Sequence, residues 1–361
     1  MNSNNSKQDK QISHPIRVLS FPSMHPYMAK LNDEKNIIYV NPNSDFFFEG
    51  KFEKYFLDAN FPISTYNIVH IHFSFDRVPI NKFEKLLKYF KERKKPIVWT
   101  THSLESLRKK NLGNGRYQQL LFTYADQLIS PTKLAKESVI EIFGKHKKDI
   151  PVIPLGYMAS PLDVERIGEK IKKDKNLYTI LIGDFRENKE VIQSVINFLK
   201  YTALKNTKLQ LIYKPINCYE NSFGKLNEKM LWFYIISNNP RVVNISLPFI
   251  ESDVLTEAFL KSHAVILPYL WGTHSGQVEL AKDCGCHIVS SNVGFFSEQW
   301  PDIETWDISD GKFEEFPKRY TNALLRVYKK KSLKPAGKIR DHELTNIIKK
   351  HVKIYKKFLI H

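Results

Sequence analysis

The 361-residue chain has few cysteines and no long apolar run. Its three cysteines, Cys218, Cys284 and Cys286, are too few for a disulfide framework, and they predict reduced thiols in a cytosolic protein. We interpret Cys284 and Cys286 as core or helix-end residues, because no second pair offers the spacing of a zinc site. No stretch approaches the roughly 18 apolar residues that a membrane-spanning helix needs. Residues 1–14 are polar and lack the apolar region of a secretory signal, so we expect a disordered tail there.

Acidic residues are also in the minority. Aspartate and glutamate number 38 against 55 lysines and arginines, which gives a formal net charge of +17. Residues 81–110 contribute +7 and residues 326–361 contribute +10, so these two segments account for the whole excess. Such a surface attracts polyanions such as nucleic acid, anionic lipid or phosphorylated substrates. The alternative is that the lysines only keep helix faces solvated.

Short, nearly continuous apolar runs recur along the chain, a pattern typical of strands buried on both faces of a parallel sheet. The predicted strands are Ile16–Phe21, Asn36–Val40, Ile68–Phe73, Ile97–Thr101, Gln127–Ser130, Val152–Pro154, Tyr178–Ile182, Lys208–Tyr213, Val242–Ile245, Ala264–Pro268 and His287–Ser290.

Helical patterns lie between these runs. In Lys82–Arg93, the apolar residues recur at the spacing of one helix face. Thr132 is placed to cap a helix that runs to Phe143, and Gly144 is placed to end it. Glu190–Leu204 and Val254–Lys261 also predict helices. Alternating strands and helices indicate doubly wound parallel sheets.

The alternating pattern divides in two near the middle of the chain. The prolines and glycine of Pro151–Gly156 and the charged stretch Asp163–Lys175 predict a hinge and a linker, after which a second series of strands begins. We therefore expect an α/β protein with two Rossmann-like domains that face each other across a cleft. The predicted boundaries are 1–14 for the tail, 15–158 for the first domain, 159–335 for the second, and 336–361 for a basic C-terminal helix that packs back on the first domain.

Polar residues that follow strands are candidates for a site, because ligands of such sheets bind beyond the carboxyl ends of the strands. After Ala264–Pro268, small polar residues open a predicted helix from Gln277 to Asp283. Free backbone N–H groups at that helix start suit a phosphate or diphosphate. The Glu279 carboxylate suits two vicinal hydroxyls, as a ribose presents. The alternative is an ordinary turn and a solvated glutamate.

Two further candidates have basic or imidazole side chains at strand ends. Arg186 and Lys189 follow Gly183 after another predicted strand, where they could neutralise a diphosphate or form a solvated basic turn. His102 ends the strand Ile97–Thr101, where an imidazole can contact a sugar hydroxyl or serve as an acid or base, or be structural.

A third candidate is a pair of alternating histidines, His70 and His72, which the strand period places on one face. With Asp76 and His102 they could hold a catalytic metal, although histidines that pack in a cleft explain the pattern as well.

In order and spacing, several of these segments resemble the GT-B glycosyltransferases, most closely the retaining, nucleotide-sugar-dependent enzymes of family 4. The resemblance covers residues 16–300. The segments that carry it are Ile68–His72, Thr100–His102, Tyr124–Thr132, Val152–Gly156, Gly183 with Arg186 and Lys189, Ala264–Gly285 and Gly294–Glu298. Trp271 departs from the family, because it stands where the first of two motif glutamates is expected.

The resemblance implies a role for each site residue. Glu279 would hold the donor ribose, and the backbone of His274, Ser275 and Gly276 would bind the diphosphate. Arg186 and Lys189, next to Gly183, would balance the charge of the departing diphosphate. His102 would contact the transferred sugar.

The function that follows is transfer of a sugar from a UDP- or GDP-sugar donor to a hydroxyl of a glycan or lipid-linked acceptor, in cell-surface polysaccharide or glycolipid synthesis. No metal or other cofactor is expected to be obligatory. The basic segments Lys82–Lys95 and Lys349–Lys357 would let a cytoplasmic enzyme rest on an anionic membrane. The alternatives are a metal-dependent hydrolase built on His70, His72, Asp76 and His102, and a basic nucleic-acid-binding protein, although no specific nucleic acid is expected because no binding motif is recognised.

Overall fold

The structure of the chain is a computed structural model. It describes residues 14–22, 25–33, 35–40, 63–73, 75, 78–104, 115–183, 186–215, 228–308 and 315–359. The predicted tail up to residue 13, Asp76 and Cys218 lie outside the described residues.

The described residues form alternating strands and helices, as the sequence predicts. The strands are β1 (Ile16–Phe21), β2 (Ile37–Val40), β3 (Ile68–Ile71), β4 (Ile97–Thr100), β5 (Gln127–Ile129), β6 (Asp174–Gly183), β7 (Lys208–Tyr213), β8 (Val242–Ser246), β9 (Ser262–Leu267), β10 (His287–Ser291) and β11 (Glu304–Trp306). The helices are α1 (Pro26–Ala29), α2 (Ile80–Glu92), α3 (Arg116–Tyr124), α4 (Lys133–Phe143), α5 (Pro161–Gly168), α6 (Val191–Lys200), α7 (Glu228–Ser237), α8 (Ser252–Lys261), α9 (Gly276–Asp283), α10 (Phe296–Gln299), α11 (Phe316–Tyr328) and α12 (Ile339–Lys356).

The first sheet has five strands in the order β2-β1-β3-β4-β5. Its pairs β1–β2, β1–β3 and β3–β4 are parallel. Every residue of β3 and β4 is buried, because helices cover both faces of a parallel sheet. The nearly continuous apolar runs in the sequence are explained by this burial.

The second sheet has six strands in the order β11-β10-β9-β6-β7-β8, and all of its neighbouring pairs are parallel. Counted from β6, this is the doubly wound order 3-2-1-4-5-6. The order reverses between β6 and β9, so the crevice for a ligand is expected beyond the carboxyl ends of these two strands. The prediction of an α/β protein with two doubly wound parallel sheets is confirmed.

Two helices were predicted correctly from local sequence signals. In α2, the predicted stripe of Phe83, Leu86, Leu87 and Phe90 is buried. Helix α4 begins after Thr132, whose side chain accepts a hydrogen bond from the Ala135 N–H, and it ends at Gly144, whose φ is 86°. A positive φ is the conformation that favours glycine at a helix end. Burial of Cys284 and Cys286 in the core is also confirmed.

Three local predictions need correction. Val152–Pro154 is not a strand, because only a single bridge joins Val152 to Ser130. The predicted linker Asp163–Lys175 contains most of helix α5, which begins after the capping residue Ser160, and its last residues already belong to β6. The helix predicted to reach Leu204 ends at Lys200, because Tyr201 adopts an extended conformation.

The chain divides into two compact units. The described residues within 1–99, 124–126 and 348–361 form the first unit, and those within 100–123 and 127–347 form the second. The domain boundaries derived from the sequence stay a prediction. None of the helices in the described part of the chain has both the length and the apolar character needed to cross a membrane.

Candidate active site

The candidate site lies where strands β6 and β9 of the second unit end. Strand β6 ends at Gly183, after a register shift between Leu181 and Gly183. The φ of Gly183 is 60°, a value that residues with a Cβ rarely adopt. A glycine at this point therefore accommodates the backbone conformation in which the strand ends.

The segments that follow β6 and β9 are joined by hydrogen bonds. The Glu190 N–H donates to the Pro268 carbonyl at 2.7 Å, and the Leu270 N–H donates to the Asn188 carbonyl at 2.8 Å. Between these bonds, Lys189 and Tyr269 form an antiparallel bridge. The residues around Lys189 thus lie beside the segment that leads into α9.

Lys189 has a defined local environment. Its ammonium donates to the carbonyls of Leu181 at 3.1 Å and Ile182 at 2.9 Å, and it lies 5.1 Å from the centre of the Tyr269 ring. The positive charge therefore stabilises the carbonyl end of β6. Arg186 is an exposed residue.

Helix α9 begins at a tightly built turn. The Ser275 hydroxyl caps the helix by accepting a hydrogen bond from the Gln277 N–H at 3.2 Å. The Ser275 backbone N–H donates to Gln299 Oε1 at 2.9 Å, and Gln299 Nε2 donates to the Ser275 carbonyl at 3.2 Å. One side-chain amide thus fixes the backbone immediately before Gly276.

Two glycines near this turn differ in how closely other atoms approach them. A Cβ on Gly294, whose φ is 57°, would lie 2.2 Å from the Gly272 carbonyl oxygen. A Cβ on Gly276 would lie 3.4 Å from the side chain of Met158. Gly294 therefore admits no other residue without a shift of the backbone, whereas a Cβ on Gly276 would make an ordinary van der Waals contact with Met158.

His274 is held through both ring nitrogens. Nδ1 lies 3.2 Å from the His102 carbonyl oxygen, and Nε2 lies 3.2 Å from the Thr132 hydroxyl. Burial lowers the pKa of His274 to about 4, although the bond to the His102 carbonyl opposes the shift. The ring is therefore neutral at pH 7. Since a carbonyl only accepts, Nδ1 carries the proton and Nε2 accepts from Thr132.

His102 lies beside this turn. It is 8% exposed, and its carbonyl is the acceptor for His274. Two residues further on, the Leu104 N–H donates to the Thr273 hydroxyl at 3.0 Å. The structure thus brings His102 next to the turn before α9, as a site containing both requires.

Glu279 is buried rather than solvated, with 4% of its surface exposed. Its Oε2 accepts from Arg340 Nη2 at 2.7 Å, and its Oε1 accepts from Gln299 Nε2 at 3.1 Å. Arg340, in the first turn of α12, is 2% exposed. Its Nε donates to Asp283 Oδ1 at 2.7 Å, and its Nη1 donates to Glu343.

The charges of this cluster are only partly balanced. Burial alone would lower the pKa of Arg340, but the carboxylates of Asp283, Glu279 and Glu343 raise it by a larger amount. The guanidinium therefore stays charged. Burial raises the pKa of Asp283, against the influence of Arg340 and of two backbone N–H groups. These N–H groups, from Met158 and Ala159, donate to Asp283 Oδ2 at 2.7 and 3.0 Å.

Arg340 and Gln299 were missed by the sequence analysis. The acidic pair Glu279 and Asp283, spaced by four on one helix face, is a sequence feature that could have indicated a basic partner. Nothing local marks the partner of that pair, because Arg340 lies 61 residues beyond Glu279.

The proposed metal ligands do not form a metal site in the described residues. No group of three or more His, Cys, Asp or Glu side chains among them is arranged to hold a metal ion. His70 and His72 are fully buried, with ring centres 3.8 Å apart. His70 Nδ1 lies 2.5 Å from the Tyr355 hydroxyl. These histidines pack together, as the structural alternative predicted.

No family model matches the sequence, and no curated protein matches it either. Solved structures do match. Anabaena HepE in complex with UDP and glucose is 12% identical, with a TM-score of 0.59 over 95% of this chain and 100% of that chain. Sucrose-phosphate synthase from Thermosynechococcus elongatus is 13% identical, with a TM-score of 0.56 over 89% of this chain and 81% of that chain.

The pneumococcal O-GlcNAc transferase GtfA in complex with UDP and GlcNAc is also similar. It is 13% identical, with a TM-score of 0.56 over 86% of this chain and 60% of that chain, so this chain spans less than two thirds of its length. At such identities the likeness concerns the fold. The fold is that of the GT-B glycosyltransferases.

Proposed function

We propose that the chain is a glycosyltransferase that moves a sugar from a UDP- or GDP-sugar to a hydroxyl of a glycan or lipid-linked acceptor. The observation that carries this proposal is the pair of joined segments at the point where the second sheet reverses its order. One segment holds Gly183, Arg186 and Lys189, and the other opens helix α9. Solved neighbours of the same fold include complexes with UDP and glucose, which supports a nucleotide-sugar donor.

The donor diphosphate would bind at the start of α9, against the backbone of His274, Ser275 and Gly276. The positive end of a helix favours an anion there. The Ser275 N–H is engaged by Gln299, so the contribution of this residue would be through the position it gives to Gly276. Glu279 would accept hydrogen bonds from the ribose. A carboxylate offers about four acceptor positions, and Arg340 and Gln299 use one each.

The chemical task is to stabilise the negative charge that develops on the departing diphosphate. Arg186 and Lys189 would supply positive charge at the end of β6, in place of an obligatory metal. His102 would contact the transferred sugar. His274 would act as a structural link and not as a general acid, because its imidazole is neutral at pH 7 and both ring nitrogens have partners.

A hexosyl donor, retention of configuration and membership of family 4 are the finer parts of the proposal. They rest on the order of the sequence segments that resemble that family. Closure over the donor would exclude water and so prevent hydrolysis.

The test is a thermal-shift panel of UDP, GDP, ADP and CMP on the wild type, Glu279→Gln and the control Glu315→Gln. Glu315 is a surface residue paired with Arg319. A diphosphate at 100 times its Kd stabilises the native state by about 2.7 kcal/mol. We expect one nucleoside diphosphate to raise the Tm of the wild type and the control, and to raise that of Glu279→Gln much less. If no nucleotide shifts the wild type, the chain has the fold without the donor site.

We further propose that the enzyme is cytoplasmic and lies peripherally on an anionic membrane. There it would act in polysaccharide or glycolipid synthesis. The segments Lys82–Lys95 and Lys349–Lys357 support it, since Lys85, Lys88 and Lys349 are exposed. Each basic residue near such a surface contributes about 1 kcal/mol, and salt screens the attraction. We expect flotation with phosphatidylserine vesicles at low salt and its loss at high salt. Equal recovery of the protein with neutral vesicles would rule out the proposed association with an anionic membrane.

A further inference from the structure

Glu279 is held in one orientation by two side chains from different elements. Arg340, in the first turn of α12, donates to Oε2 at 2.7 Å. Gln299, the last residue of α10, donates to Oε1 at 3.1 Å. Because each carboxylate oxygen has its own donor, rotation of the carboxylate would break both bonds.

Arg340 is itself fixed from the opposite side. Its Nε donates to Asp283, and Asp283 is anchored by the backbone N–H groups of Met158 and Ala159. The guanidinium spans Glu279 and Asp283 with separate N–H groups of one planar fork. A lysine ammonium is a point charge on a flexible stem and cannot reproduce that geometry.

Gln299 connects the two parts of the candidate donor site. Its Oε1 accepts from the Ser275 N–H, immediately before the helix start, and its Nε2 donates to Glu279 and to the Ser275 carbonyl. A single planar amide therefore sets both the backbone proposed for the diphosphate and the carboxylate proposed for the ribose.

We propose that Arg340 and Gln299 are positioning residues that orient the Glu279 carboxylate toward the ribose hydroxyls and so make the site selective for ribonucleotides. This inference rests on the proposed function. The aligned carboxylate accepts from the vicinal hydroxyls with its remaining lone pairs. When either donor is lost, the carboxylate turns toward the other, and the hydroxyls lose their acceptor.

The experiment compares two Kd values by calorimetry: that of the nucleoside diphosphate that binds in the panel above, and that of its 2′,3′-dideoxy analogue. The variants are Arg340→Lys and Gln299→Leu. The control is Arg326→Lys, which makes the same chemical change at an exposed ion pair with Glu304. A thermal scan of each variant establishes that it is folded.

We expect the wild type and Arg326→Lys to prefer the ribonucleotide by about tenfold to hundredfold, the equivalent of one or two hydrogen bonds to a charged group. In Arg340→Lys and Gln299→Leu the preference falls to about threefold or less. A loss of packing alone would weaken both ligands equally and leave the ratio unchanged. If Arg340→Lys does not fold, Gln299→Leu decides the question, because Gln299 lies outside the ion cluster.

Each other result overturns a specific step. Folded variants that keep the wild-type preference show that Arg340 and Gln299 only support the structure. A wild type that binds both diphosphates equally removes the ribose contact of Glu279 but leaves the transferase proposal standing. A wild type that binds no nucleoside diphosphate removes the proposed function, and this inference with it.

Discussion

Helix α9 is held at its start by neutral hydrogen bonds and along one face by ions. At the start, His274 bridges the His102 carbonyl and the Thr132 hydroxyl. Along the face, Glu279 and Asp283 share the buried guanidinium of Arg340. Loss of one partner has a different consequence for each attachment. At the helix start it leaves a neutral group with one hydrogen bond fewer, whereas along the ionic face it leaves a buried charge without its counter-ion.

The difference has an energetic consequence. A neutral hydrogen bond contributes about 0.5–1.5 kcal/mol, whereas an uncompensated buried charge costs about 3–5 kcal/mol. The ionic face is therefore the more vulnerable attachment, although each of its contacts is short. If Glu279 binds the donor, the same residue that holds α9 in place also serves the ligand.

Replacement of Arg340 by methionine tests the ionic attachment most directly. The substitution retains much of the volume and leaves Glu279 and Asp283 buried without a counter-ion. We expect the free energy of unfolding to fall by about 3–5 kcal/mol, measured by urea denaturation. The control is Arg326→Met at the exposed pair with Glu304, where about 0–1 kcal/mol is expected.

The same experiment can be extended by neutralising the two carboxylates that Arg340→Met leaves without a counter-ion. When Glu279→Gln and Asp283→Asn are added to Arg340→Met, part of the lost stability should return, because neutral amides cost less to bury than carboxylates. Losses of equal size for Arg340→Met and Arg326→Met would contradict the view that Arg340 compensates buried charges on the ionic face.

Much of the fold could be predicted because its signals are local. The apolar runs predicted both ends of β1 and of β7 without error, and Thr132 and Gly144 predicted the ends of α4. Strand β11 was missed because Glu304–Trp306 contains one apolar residue, so no apolar run marks it. The linker prediction failed at α5, since its charged residues concealed the helix that follows the Ser160 cap.

The candidate site divides in the same way. Gly183, His274 and Glu279 could be found because each follows a recognisable strand. Their partners could not, because Gln299 and Arg340 lie 20 and 61 residues from Glu279 along the chain. Such contacts depend on where α10 and α12 pack, and no periodicity or cap in the sequence encodes that.

The neutral attachment can be tested with acid. In the folded chain burial lowers the pKa of His274 to about 4, against an ordinary value of 6.5. The unfolded chain therefore binds a proton that the folded chain does not between pH 6.5 and about 4. The stability linked to this ring is complete above pH 6.5 and is lost as the pH falls through that window, by about 3 kcal/mol at most.

The measurement is the free energy of unfolding between pH 7 and pH 4.5 for the wild type, His274→Gln and the control His342→Gln. Other buried histidines, His263 among them, also have lowered pKa values, so the difference between variants isolates one ring. We expect His274→Gln to lose less stability than the wild type as the pH falls. His342 is exposed on α12, so its variant should follow the wild type. Parallel curves for all three proteins would mean that His274 takes up its proton without leaving Thr132 and His102, and the start of α9 would then not be sensitive to acid.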